Sequence, residues 1–86
     1  MSVVIYVKPT CPYCKKAVLI LNRTKVLYTT IDLTKEPSRK AEMVKKAGGA
    51  STVPQIFVNG AHIGDCQKLV ALEKAGELRK ILGLLP

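Results

Sequence analysis

The sequence predicts a single α/β domain in the order strand, helix, strand, helix, β-hairpin, helices. Three observations predict it. A β-branched run at Val3 to Val7 is followed by an apolar helical stripe and then by a second β-rich run. Asn59-Gly60 sits between two short apolar runs, a strong two-residue hairpin signal. The 86 residues suffice for one modest core and not for two domains, so residues 1–86 form one unit.

Each element follows from local composition. Val3 to Val7 reads as a buried strand that stops at Lys8-Pro9. Pro12 suits the first turn of a helix, whose face carries Cys14, Ala17, Val18 and Leu21 at i, i+3, i+4 and i+7. Leu19 and Ile20 widen that stripe, and polar Asn22 to Lys25 is expected to end the helix. Val26 to Ile31 reads as a second strand; short joints around the helix imply a right-handed parallel crossover. Asp32 to Glu36 is a loop. Pro37 opens a helix with Ala41, Val44 and Ala47 inward, and Gly48-Gly49 stops it. Gln55 to Val58 and Ala61 to Ile63 are the hairpin strands. Gly64-Asp65 turns into a helix carrying Leu69, Val70 and Leu72; Gly76 interrupts; Leu78, Ile81 and Leu82 form a short closing helix.

Hydrophobic residues make up 48% and charged residues 23%, a globular balance rather than a disordered one. The longest apolar runs, Val3 to Val7 and Ala17 to Leu21, are far below the ~20 residues of a membrane helix. No secretory signal is visible, so the expected compartment is the cytoplasm. The net charge of +8 favours anionic partners, but the bases are scattered without a run of five. Solvated helix faces account for them better than a nucleic-acid surface, and neither nucleic acid nor membrane is an expected partner. A monomer is the default.

The chemistry concentrates at Cys11-Pro12-Tyr13-Cys14, between the first strand and the first helix. In that βαβ context a Cys-x-x-Cys pair signals redox work. A disulfide closing so small a loop restrains the unfolded chain little, so stability is not its purpose. Cys11 falls at the helix N-cap, where free backbone N–H groups and the dipole favour negative charge. Lys8 and Lys15 add positive potential, and together these should favour the thiolate, the attacking species. Cys14, one turn on, faces inward within disulfide reach. Cys11 is therefore expected to be the exposed nucleophile and Cys14 the sheltered resolving thiol. An alternative is a structural zinc module using Cys11, Cys14, His62 and Cys66. Outside that alternative, His62 reads as a surface strand residue. Cys66 reads equally as a small buried residue or a secondary thiol.

Four segments in order carry a family resemblance: Tyr6-Val7-Lys8 before Cys11-Pro12-Tyr13-Cys14, then Thr52-Val53-Pro54-Gln55-Ile56-Phe57, then Asn59-Gly60 with His62-Ile63-Gly64, and then Cys66. Over essentially its whole length the chain resembles a dithiol glutaredoxin of the small bacterial type. The resemblance implies a thioredoxin-like fold, a four-stranded mixed sheet flanked by helices. It implies a glutathione-dependent thiol–disulfide oxidoreductase that binds no cofactor or metal and uses glutathione as reductant. Pro54 matches the family's cis-proline, facing the active cysteines. Lys8, Tyr13, Thr52, Val53 and Gln55 match glutathione-contacting positions, with the glycyl carboxylate meeting Lys8 and Gln55 and the cysteinyl backbone pairing with Val53. Gly64, Asp65, Cys66 and Gln67 complete the implied site, where the Cys66 and Gln67 N–H groups would receive the γ-glutamyl carboxylate. The family usually has Gly-Gly-Cys, then Ser or Asp, then Asp; this chain has Gly64-Asp65-Cys66-Gln67-Lys68. Lys68 thus stands where an acid usually meets the glutathione ammonium, and Asp65 is the neighbouring acid.

The implied partners are glutathione and glutathionylated or disulfide-containing proteins, ribonucleotide reductase among them. Two rivals use the same cysteines. A glutathione-bridged iron–sulfur carrier would need a dimer, and Pro12 and Cys14 depart from the usual monothiol carriers. A thioredoxin proper usually has Gly-Pro between its cysteines and Trp before them, and this chain has no Trp.

Overall fold

A computed structural model describes residues 2–84. Strand β1 (Val3–Val7) pairs in parallel with β2 (Thr29–Asp32) and antiparallel with β3 (Gln55–Val58), which pairs antiparallel with β4 (Ala61–Gly64). The sheet order is β2-β1-β3-β4, a four-stranded mixed sheet. Helix α1 (Pro12–Thr24) makes the parallel crossover, and a 3₁₀ turn (Pro37–Arg39) leads into α2 (Lys40–Lys46). Helices α3 (Cys66–Lys74) and α4 (Leu78–Ile81) follow the hairpin.

The central strands β1 and β3 are buried on both faces, and strand alternation divides their side chains between two cores. Val3, Ile5, Val7, Ile56 and Val58 face α1, α3 and α4, packing with Cys14, Ala17, Ile20, Leu21, Leu69 and Leu72. Tyr6 and Phe57 face the other way, against Ile31, Leu33, Met43 and Ala47. Asn59 (φ 51°) and Gly60 (φ 82°) supply the two positive φ angles of a tight hairpin turn. No helix among the described residues is long and apolar enough to cross a membrane.

Four expectations need correction. The polar residues Asn22 to Thr24 continue α1; the helix ends where Lys25 turns left-handed (φ 66°). Arg79 donates to the Thr24 carbonyl at 2.7 Å, supplying a cation to that helix end. Leu19 lies on the open side of α1 and is 59% exposed, so the apolar stripe is narrower than composition suggests. Strand β2 begins at Thr29, because pairing starts at Val4 with Thr29; Val26 and Tyr28 pack on the α1-side core while Leu27 is 91% exposed. In α2 the anchor is Met43, fully buried, whereas Ala41 is exposed. The helix starts at Lys40, three residues past Pro37, and Met43, Val44 and Ala47 pack with Tyr6, Ile31 and Leu33.

Candidate active site

Cys11 occupies the N-cap of α1, with Pro12 behind it in the first turn. Its backbone is extended, and its sulfur accepts from the Cys14 backbone N–H at 3.2 Å. The thiol donates to the Val53 carbonyl at 3.7 Å, which brings the sulfur under the loop before β3. The Val53–Pro54 peptide bond is cis. Cys11 is partly exposed, whereas Cys14 is 2% exposed, and all three cysteines are free.

The two thiols are driven apart electrostatically. Partial burial pushes Cys11 up, but the Cys14 thiol, the Cys14 and Tyr13 N–H groups and the Lys8 charge outweigh it, holding Cys11 below its ordinary value. Burial, then the hydrogen bond to Cys11, push Cys14 up to about 12. At neutral pH one thiol of the pair is therefore the better anion, and it is the accessible one. Burial also pushes the Cys66 thiol up, against the lowering charge of Lys16.

A groove of about 570 Å³ is lined by Tyr13, Lys16, Thr52, Val53, Pro54, Asp65, Cys66, Gln67 and Val70, and its Val53 is the residue whose carbonyl the Cys11 thiol meets. Asp65 is the N-cap of α3, its carboxylate accepting from the Lys68 N–H at 3.1 Å. Gly64 (φ 139°) lies so close to Lys68 that a Cβ there would stand 2.8 Å from the Lys68 Cβ. The larger cavity, about 900 Å³, lies elsewhere, between the end of α1 and α4.

Residues 3–63 match the family model described as Glutaredoxin. The chain belongs to the glutaredoxin family. It is 45% identical over 84 residues to "Glutaredoxin 1" of Rickettsia prowazekii, covering 94% of this chain and 86% of the relative. It is 40% identical over 81 residues to "Glutaredoxin 3" of Escherichia coli K12, covering 94% and 96%. Its structure resembles the solution structure of glutaredoxin from Brucella melitensis, with TM-score 0.81 and 39% identity over 100% of this chain and 95% of that one. A buckwheat glutaredoxin–glutathione complex matches with TM-score 0.85 and 28% identity, covering 94% and 76%. The fold is thus thioredoxin-like, and the chemistry of the family is thiol–disulfide oxidoreduction.

Within this glutaredoxin, Tyr13, Thr52, Val53, Pro54, Asp65, Cys66 and Gln67 come together as the groove walls. Lys8 is exposed at the foot of α1, its carbonyl accepting from the Cys11 N–H at 3.2 Å. Gln55 does not line the groove; it is 2% exposed, with its amide turned to Thr52 and His62. The four residues of the zinc alternative are split by the sheet. His62 stacks on Phe57, whose core is on the α2 side, whereas Cys14 and Cys66 belong to the α1-side core. No group of three or more His, Cys, Asp or Glu side chains gathers as a metal site among the described residues. Lys16 and Val70 line the groove without having been expected there. Lys16 follows Tyr13 by three residues on α1, and that helical spacing was its one available signal.

Proposed function

We propose that this chain is a glutathione-dependent thiol–disulfide oxidoreductase working through the Cys11/Cys14 pair. The observation that supports it most is the Cys11 sulfur at the α1 N-terminus, held below its ordinary pKa, beside a groove that opens on Val53 and Pro54. The Cys11 thiolate attacks the glutathione sulfur of a mixed disulfide. A Cys11–glutathione disulfide forms, and the protein sulfur leaves as a thiolate that takes a proton from solvent. A second glutathione thiolate attacks the bound glutathione sulfur, releasing glutathione disulfide and restoring the Cys11 thiolate. NADPH, through glutathione reductase, returns the glutathione disulfide to two thiols.

For a protein disulfide, Cys14 resolves the intermediate. Once Cys11 is in a mixed disulfide it carries no charge, so two causes of the high Cys14 pKa vanish: the hydrogen bond to Cys11 and its charge. Cys14 then attacks the Cys11 sulfur, the substrate thiolate leaves, and a Cys11–Cys14 disulfide remains for glutathione to reduce.

Glutathione would be held in the groove at two places and, beyond its lining, at Lys8. Lys8 serves the glycyl carboxylate, and the Val53 backbone pairs with the cysteinyl unit as an added strand. The Cys66 and Gln67 N–H groups at the α3 start serve the γ-glutamyl carboxylate, and Asp65, on the same rim, serves its ammonium. The buckwheat relative in complex with glutathione supports this ligand. Protein partners carry a glutathionylated cysteine or an accessible disulfide.

The test is turnover of a glutathione mixed disulfide coupled to glutathione reductase and NADPH. NADPH consumption that needs both glutathione and this chain is expected. Reduction supported by a flavoprotein thioredoxin reductase and not by glutathione would overturn the reading.

A further inference from the structure

His62 lies opposite Phe57 across the β3–β4 pair, and Gln55, two residues before Phe57, is its diagonal neighbour on the same face. The pairing skips from Ile56–Gly64 to Phe57–His62, so Ile63 is an extra residue that bends β4. The His62 ring packs on Phe57 at 5.1 Å and brings its Nε2 to 2.6 Å from Gln55 Oε1. The Gln55 amide nitrogen donates to the Thr52 carbonyl at 3.0 Å and lies 3.4 Å from the Thr52 hydroxyl.

These contacts settle the direction of each hydrogen bond. The Thr52 carbonyl only accepts, so the Gln55 nitrogen faces it and the Gln55 oxygen faces His62. His62 therefore donates from Nε2. Gln55 is nearly fully buried, so its oxygen needs that donor. Without it, the amide rotates to find another partner and releases Thr52. Thr52, Val53 and Pro54 form one wall of the groove, and the Val53 carbonyl receives the Cys11 thiol at 3.7 Å. His62 itself does not line the groove; its hydrogen bond reaches the wall through Gln55, and its ring packs on Phe57, a contact that His62→Phe keeps.

We infer that His62, acting through Gln55, is a positioning residue for the Thr52–Pro54 wall on which glutathione docks; the inference rests on the glutathione reading above. His62→Phe keeps a ring on Phe57 and removes the donor. His62→Gln carries an amide donor to about the reach of the imidazole Nε2. The expected result is a KM for the glutathione mixed disulfide raised about fivefold in His62→Phe, with kcat unchanged and KM restored in His62→Gln. In ¹⁵N NMR, the Gln55 side-chain amide signals should be distinct and slowly exchanging in the wild type, move toward free-amide positions in His62→Phe and return in His62→Gln. An unchanged KM in His62→Phe, equal impairment of both variants, or undisturbed Gln55 signals would overturn the inference. Failure of the wild type to turn over the mixed disulfide would overturn the glutathione reading instead, and the Gln55 signals would still decide the coupling.

Discussion

The Cys11 sulfur lies 3.2 Å from the backbone nitrogen of Cys14, so the residue that caps the helix also carries the accessible thiol of the pair. The same N–H that satisfies the helix end stabilises the thiolate.

Cys11 should titrate below the ~8.5 of a free thiol. Burial works against this; the Cys14 thiol, the two N–H groups and Lys8 work for it and prevail. The rate of alkylation against pH, followed at Cys11 by peptide mass spectrometry, should show a midpoint under that value. Lys8→Ala should move it upward. A midpoint at or above ~8.5 in the wild type would show that the helix end does not act on the sulfur.

Asp65 caps α3, and in the proposed site it also meets the glutathione ammonium; substitution can separate the two. Asp65→Asn keeps the side-chain cap of α3, since Asn and Asp cap equally well, and removes the charge. The KM for the glutathione mixed disulfide should rise by less than about tenfold with kcat held, because exposed charge pairs are worth only ~0.2–1 kcal/mol. Lys68→Asp should lower KM by placing a second acid beside Asp65, where the proposed site holds the ammonium. A rise in KM from Lys68→Asp would make Lys68 a carboxylate ligand in this chain.

Away from the site, Tyr6, Glu42 and Arg39 join across the α2 side of the sheet. The Arg39 guanidinium, then the Tyr6 hydroxyl, hold Glu42 down to about 2 from its ordinary 4.5. The unfolded chain binds this proton more readily than the folded one, so the contribution is present above about pH 4.5 and fades as pH falls toward about 2. Thermal melts should show the wild type losing stability over that window. Glu42→Gln should have a lower Tm at neutral pH and a flatter profile between those values. Identical slopes for the two proteins would remove Glu42 from the acid response.

Much of this molecule was legible locally. Gln55 to Val58, Asn59-Gly60 and Pro12 each carry their own signal within a few residues, and the elements form where those signals lie. The placement of Cys11 at a helix end and of Cys14 one buried turn inside was legible for the same reason. What failed was neighbourhood. Whether Leu19 or Ile20 faces the core depends on what packs against α1, and Met43 rather than Ala41 is buried because α2 docks on Tyr6, Ile31 and Leu33 from distant parts of the chain. Lys16 joins the groove only when α1, the Thr52–Pro54 loop and α3 converge. The His62–Gln55 contact depends on an extra residue in β4 that no periodicity announces.

The division of labour between Cys11 and Cys14 is measured most directly by two single substitutions in two assays. With a glutathione mixed disulfide as substrate, Cys11→Ser should have no activity, whereas Cys14→Ser should retain turnover and accumulate one glutathione on Cys11. With a protein disulfide as substrate, both should be inactive, since the buried Cys14 thiol is then needed to release the product. Equal loss from both substitutions in the mixed-disulfide assay, or glutathione found on Cys66 rather than Cys11, would contradict the account.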